Sequence, residues 1–147
     1  MEIHKFQIAK IQLDDAMLCF IEERYFSSLT LAGASEEIFG RLSERYCNKK
    51  SSYNNLKNLL KIRLPKESLN LDLNLSRNAL KHATNPDEDV INIYPEVESM
   101  IMILRAINNY LNFSDSGQHK LPHIDTFLEK ISSHKLVTDP KLKFHFL

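Results

Sequence analysis

The chain has 147 residues, enough for one ordinary domain and too few for two. Charged residues make up 26% and hydrophobic residues 43%, which excludes a wholly disordered or collagen-like chain, and only 3 Gly and 5 Pro argue against an all-β fold with frequent turns. The net charge is zero, so no long-range attraction to nucleic acid arises from the chain as a whole.

In chain order, the apolar positions Ile8, Ile11, Ala16, Leu18 and Phe20 or Ile21 predict a first helix from His4 to about Arg24. A second helix is expected over Phe26–Tyr46, with Leu31, Ala34, Ile38 and Leu42 as its core stripe. Beside that stripe runs another, Leu29, Gly33, Glu36 and Gly40. Glycine inside a helix costs about 1 kcal/mol relative to alanine, so two on one face imply the close approach of another backbone, with a carboxylate between them. Residues 47–55 are loop-like, and a short helix is predicted around Tyr53–Ile62, before Pro65. The alternation Leu69, Leu71, Leu73, Leu75 resembles a strand, but the series Leu69, Leu73, Ser76, Leu80, Ala83 favours a helix from Glu67 to Ala83. Leu71 and Leu75 then form a second apolar face, in line with Asn78 and His82, as a central or subunit-shared helix would. After Asn85-Pro86 and an acidic turn, Pro95 opens a helix to about Phe113, with Val97, Ile101, Leu104 and Leu111 inward and Arg105, Asn109 and Asn112 on another face. A last helix is expected over Pro122–Ser133, with Ile124, Phe127, Leu128 and Ile131 inward. The expected architecture is all-α, a single domain of five or six helices with its core over about residues 5–133 and a loosely docked tail over 134–147.

Charge is unevenly distributed along these elements. Residues 1–40 carry 3 basic and 7 acidic side chains, residues 41–66 carry 8 basic against Glu44 alone, and residues 67–99 carry 2 basic and 7 acidic. The central basic run reads either as a solvated connection between helices or as a source of phosphate contacts. Cys19 and Cys47 have no metal-binding or redox spacing and read as reduced thiols of a cytosolic protein. No apolar run approaches the roughly 20 residues of a membrane span, and the first residues lack a signal peptide's apolar stretch, so a cytoplasmic location is expected. His119 and His123 have the spacing of metal ligands, but Pro122 intervenes and no single helix presents both; no metal or cofactor is expected.

The stretch Arg77-Asn78-Ala79-Leu80-Lys81-His82 carries the chemistry. Acid–base chemistry on a phosphate ester needs a base for a hydroxyl proton and donors for charge developing on phosphorus. Histidine titrates near neutrality, and a guanidinium can hold two phosphate oxygens. Asn78 is one turn before His82, about 40° around an ideal helix, whereas Arg77 is about 140° from His82. Arginine and histidine therefore do not project together from one ideal helix.

An arginine, a polar neighbour and a histidine five positions on resemble the Arg-x4-6-His motif of the HEPN superfamily of helical-bundle proteins. The flanking Leu31-Ala32-Gly33-Ala34-Ser35-Glu36-Glu37-Ile38-Phe39-Gly40-Arg41-Leu42 and Ala106-Ile107-Asn108-Asn109-Tyr110 also resemble uncharacterised bacterial members, so the likeness covers roughly residues 10–113. The resemblance implies a metal-independent endoribonuclease of toxin or phage-defence type, acting through the substrate's 2′-OH at a cleft in a two-fold homodimer. A cognate antitoxin such as a minimal nucleotidyltransferase is the implied partner. His82, Arg77, Asn78 and Glu36 are then the catalytic candidates, and Lys81, Arg41, Arg45, Lys49 and Lys50 the RNA contacts. Duller roles stand beside these: Arg77 as a structural ion pair with Glu36 or Glu37, His82 as a helix cap, and Cys47 as an incidental thiol. The competing function is a non-catalytic helical dimerisation module that binds a protein or nucleotide; a generic helical domain with a chance motif is the third reading.

Overall fold

A computed structural model of the chain describes residues 1–53, 75–83, 86–113 and 120–134, and all regular structure among them is helical. Helix α1 spans Lys5–Ile21, α2 Tyr25–Leu42, α3 Leu75–Ala79, α4 Pro95–Tyr110 and α5 Ile124–Ile131. A π-helical turn, Ser43–Cys47, follows α2 directly, and a 3-10 turn covers Pro86–Glu88. Helices α1 and α2 form an antiparallel hairpin, closed where Arg24 N donates to Cys19 O at 2.8 Å and Glu23 takes a left-handed φ of 62°. Helix α4 packs along α2, and α5 lies against α1. The helix expected over Tyr53–Ile62 and the first part, residues 67–74, of the helix expected over Glu67–Ala83 fall almost wholly outside the described residues, as do Leu71 and the tail beyond 134. The described part of the latter is helical over Leu75–Ala79 and ends four residues before Ala83. No helix among the described residues is long and apolar enough to cross a membrane.

Small side chains decide which faces meet. On α1 the buried residues are Ala9, Leu13, Ala16, Met17, Cys19 and Phe20, whereas Ile8 and Leu18 are half-buried and Ile11 is 55% exposed. Of the stripe expected to form the core on α2, Leu42 is buried but Leu31, Ala34 and Ile38 are only half-buried; most of the buried surface is the glycine-bearing side, with Leu29, Ala32, Gly33, Ser35, Glu36, Phe39 and Gly40. Two serines there stitch the hairpin: Ser28 Oγ donates to Ala16 O at 2.9 Å and Ser35 Oγ to Ala9 O at 2.8 Å. A large apolar residue at these positions would hold the backbones apart, so Ala, Gly and Ser mark the closest approach, and the half-buried Leu31, Ala34 and Ile38 lie beside it.

Helix α4 is rotated by one residue, about 100°, from the sequence expectation. Met100, Ile103, Ala106, Ile107 and Tyr110 are buried, while Val97, Ile101 and Leu104 are half-buried and Leu111 is exposed. The rotation carries Arg105 and Asn109 inside. An apolar-in, polar-out rule places these two at the surface, and their burial is tolerable only because each finds partners. Phe6, Phe39, Tyr110 and Phe113 close one end of the core with ring centroids 5.0–6.1 Å apart, and burial pushes the Tyr110 phenol up from its ordinary range. On α5, Phe127 and Ile131 are buried, Ile124 is half-buried and Leu128 is exposed. Asp14 fixes the start of α5: its carboxylate accepts from His123 N at 2.9 Å and lies 2.7 Å from His123 Nδ1. That contact gives His123 a structural role, and His119 lies outside the described residues.

The two faces of α1 make different demands. Leu13→Ala should lower the unfolding free energy by about 2–5 kcal/mol through the cavity it leaves, and Ile11→Ala should change it by no more than about 0.5 kcal/mol. Urea denaturation of both variants measures the difference, and equal losses would place Ile11 in the core.

Candidate functional site

The central groups come from three helices. Glu36 leaves the glycine stripe of α2 and is buried between α2 and α4. Its Oε1 accepts from Arg105 Nη2 at 2.9 Å, and the Arg105 side chain is 1% exposed. Its Oε2 lies 3.8 Å from Arg77 Nη1 of α3. One carboxylate is thus shared by two guanidiniums, one on each oxygen. Glu37 supplies a second carboxylate to Arg77 at 3.4 Å, from a half-exposed position. Arg77 also reaches Gly33 O at 3.5 Å and Asn78 Oδ1 at 3.3 Å.

These distances separate the two arginines. Charge-assisted hydrogen bonds close to about 2.7–2.9 Å, a length that Arg105 reaches and none of the Arg77 contacts does. Arg105 is locked, with its guanidinium also 5.3 Å from the centroid of the Tyr53 ring. Arg77 is 11% exposed and held at longer range by several groups at once. It stands on the wall of an open cleft of about 190 Å³, together with Glu36, Glu37, Gly40, Arg41, Glu44, Ser51 and Tyr53.

The glycines explain how these pieces fit. The methylene stem of Arg77 crosses Gly33 so closely that any Cβ there would overlap it. At Gly40 a Cβ would stand 3.0 Å from Ser51 Cβ and 3.2 Å from Asn109 Nδ2. The close neighbours are therefore mainly side chains, where the sequence led to the expectation of another backbone. Helix α4 extends the polar contact: Asn109 Nδ2 donates to Glu36 O at 3.1 Å, and Asn109 Oδ1 accepts from Ser52 N at 2.6 Å. Asn108 Nδ2 donates to Ser52 Oγ at 2.6 Å, and Asn112 Nδ2 donates to Ser43 Oγ at 2.7 Å. Residues 43–52 are thereby tied at one end to α4 and at the other to the turn that follows it.

Among the expected site residues, Glu36, Arg77 and Arg41 share the cleft, with Asn78 bonded to Arg77. His82 is not among the lining residues: it follows α3 on a turn, with its backbone N–H donating to Asn78 O at 3.1 Å and its side chain exposed. Lys81, Arg45, Lys49 and Lys50 are exposed as well, Lys81 beside His82 and the others beyond α2. Cys47 is half-buried in the π turn.

Sequence reasoning missed Arg105 and Asn109 as partners of Glu36. Their signal was the spacing Arg105, Asn109, Asn112, a polar stripe at helical period on a helix whose other faces are apolar. Such a stripe opposite a carboxylate on a glycine-bearing helix marks a buried polar contact. Comparison of the sequence with protein-family models, curated proteins and solved structures finds no match.

A cleft of this size is smaller than the roughly 300–1,000 Å³ of ordinary small-molecule pockets. It suits one polar group, such as a phosphate, rather than a whole cofactor. Breaking the ion pair beneath it should be costly. Arg105→Met leaves the Glu36 carboxylate buried without its closest described partner and should destabilise the protein by about 3–5 kcal/mol, whereas Glu36→Leu combined with Arg105→Met should recover most of that loss. A double-mutant cycle by chemical denaturation measures it; additive losses would show that the two side chains do not act as a unit.

Proposed function

We propose that this chain is a HEPN-like helical protein that cleaves RNA without a metal ion, at a site completed by two copies related by a two-fold axis. The observation that carries the reading is the loose tenure of Arg77. Its guanidinium lines an open cleft and, among the described residues, makes only long contacts, so it can turn toward a phosphate, while Arg105 beneath it keeps Glu36 in place.

In this reading His82 takes the proton from a ribose 2′-OH and O2′ attacks the adjacent phosphorus. The 5′-oxygen leaves, takes up a proton from water, and a 2′,3′-cyclic phosphate remains. Arg77 holds the non-bridging oxygens as charge builds on them, and Asn78 orients the guanidinium through its Oδ1. His82 is exposed at the end of the same polypeptide stretch and lies outside the cleft lining. A two-fold contact across that surface would bring His82 of one copy toward Arg77 of the other, and an isologous contact forms two such sites.

A second reading is favoured by the same cleft. Three glutamates line it against two arginines, and Glu36 and Glu37 both engage Arg77. A phosphate must compete with those carboxylates, as it would in a non-catalytic module that keeps Arg77 as a structural tie.

The two readings separate in one experiment. Purified protein is incubated with mixed RNAs in EDTA, its mass is measured by light scattering, and the product ends are identified. Catalysis predicts a dimer that leaves 2′,3′-cyclic phosphates on RNA and does not cut DNA. Activity should fall about 10²–10⁴-fold in His82→Ala, and Arg77→Lys should be severely impaired because it lacks the fork. The structural reading predicts no cleavage by any variant and a lowered melting temperature for Arg77→Ala. Cleavage that persists in folded His82→Ala, or a monomeric wild-type protein that cuts, would refute the shared site.

A further inference from the structure

The π turn after α2 exposes an aromatic ring that an α-helix would bury. The buried series on α2 runs through Phe39, Leu42 and Ser43, and an uninterrupted helix would carry Tyr46 inward on the same face. The wider turn Ser43–Cys47 shifts that phase, and Tyr46 is 65% exposed. Its carbonyl end is closed by Asn48 N donating to Ser43 O, with Asn48 in the left-handed region at φ 52°. Ser43 is buried and bonded to Asn112 just past α4, and Ser52 is bonded to Asn108 and Asn109 of α4, so the turn is held at its start and the chain after it is held at Ser52.

The surroundings of the ring are mainly basic, with Glu44 3.9 Å from Arg41 as the acidic exception. The Arg45 guanidinium carbon lies 5.8 Å from the centroid of the Tyr46 ring, within cation–π range. Arg41, Lys49 and Lys50 are exposed on the same stretch, against the half-buried Glu44. Arg41 also lines the Arg77 cleft and precedes Arg45 by one helical turn, about 6 Å along the axis. An exposed aromatic among basic side chains, on a rigid backbone leading into a phosphate-sized cleft, has the composition of a single-strand platform: bases stack on rings while cations follow the backbone.

We infer that Tyr46 and Arg45 form a stacking subsite for an unpaired base of single-stranded nucleic acid, with Arg41, Lys49 and Lys50 contacting the phosphates beside it. This inference rests on RNA being the substrate class of the proposed function and adds where an unpaired nucleotide is held. The subsite reads base faces and backbone charge, so it accepts a single DNA strand as well as RNA and disfavours a duplex, whose bases are already stacked.

Fluorescence anisotropy with a labelled 12-nucleotide RNA, the single-stranded DNA of the same sequence and the corresponding DNA duplex tests it. The DNA strand has no 2′-OH, so its binding is read without interference from cleavage. Wild-type protein should bind both single strands more tightly than the duplex. Tyr46→Ala should weaken single-strand binding by roughly 5- to 100-fold, with an unchanged thermal melt because the ring is exposed, and Tyr46→Phe should bind as wild type. Replacing Lys49 and Lys50 together by Gln should reduce the slope of log K against log salt by about 1.4, at about 0.7 per phosphate contact. Wild-type binding by Tyr46→Ala, an equal loss in Tyr46→Phe, a preference for duplex or no single-strand binding would each overturn the subsite. Binding that depends on Tyr46 without any RNA cleavage would support the subsite and refute the catalytic reading alone.

Discussion

A carboxylate and a guanidinium buried against one another between α2 and α4 set the terms for the rest of the fold. Placing either ion alone in an apolar interior costs several kcal/mol even after relaxation, so Glu36 and Arg105 require each other at short range and fix how the two helices rotate. That rotation turns Asn109 inward, where it bonds the main chain at Glu36 on one side and at Ser52 on the other. It also explains the small residues. Gly33 and Gly40 flank Glu36 by about one turn each way, clearing space for the arginine stem and for Ser51.

From that buried pair outward, the polar contacts loosen in steps. Arg105 is tightly held, Glu36 divides its second oxygen toward Arg77, and Glu37 at the cleft edge is half-exposed. A short, charge-assisted contact in the interior thus supports a rim whose charges sit at longer range. Preorganised sites need that order: the groups that position must be locked, and the group that meets ligand must retain some freedom. The reverse arrangement would leave an uncompensated charge in the core whenever ligand bound.

The helical class and the main helices were legible because their periodicity and boundary residues act locally; Pro95 starts α4 as its fixed φ dictates. The buried faces were less legible. Reading α1, α2 and α4 by the size of their apolar residues selected Ile11, Leu31 and Leu111, yet these helices meet through alanine, glycine, serine and the polar stripe of α4. Hydrophobicity measures transfer from water, whereas close helix packing rewards the absence of bulk. Glu36 was legible as a buried carboxylate because two glycines framed it. Its partner Arg105 was not, since a buried arginine can be identified only once the opposite carboxylate is placed in space. The π turn was equally hidden, as no residue type in Ser43–Cys47 signals an added backbone position.

The crossing of the Arg77 stem over Gly33 joins two positions 44 residues apart. Loop-closure entropy grows only logarithmically with the length enclosed, so doubling that length would cost about 0.6 kcal/mol. A single methyl group at Gly33 would instead strike the stem directly. Over evolutionary time the crossing is therefore nearly indifferent to the length of chain it encloses and intolerant of one carbon atom at its centre. Related sequences sharing this site should vary freely in length between the two helices while keeping glycine where the stem passes.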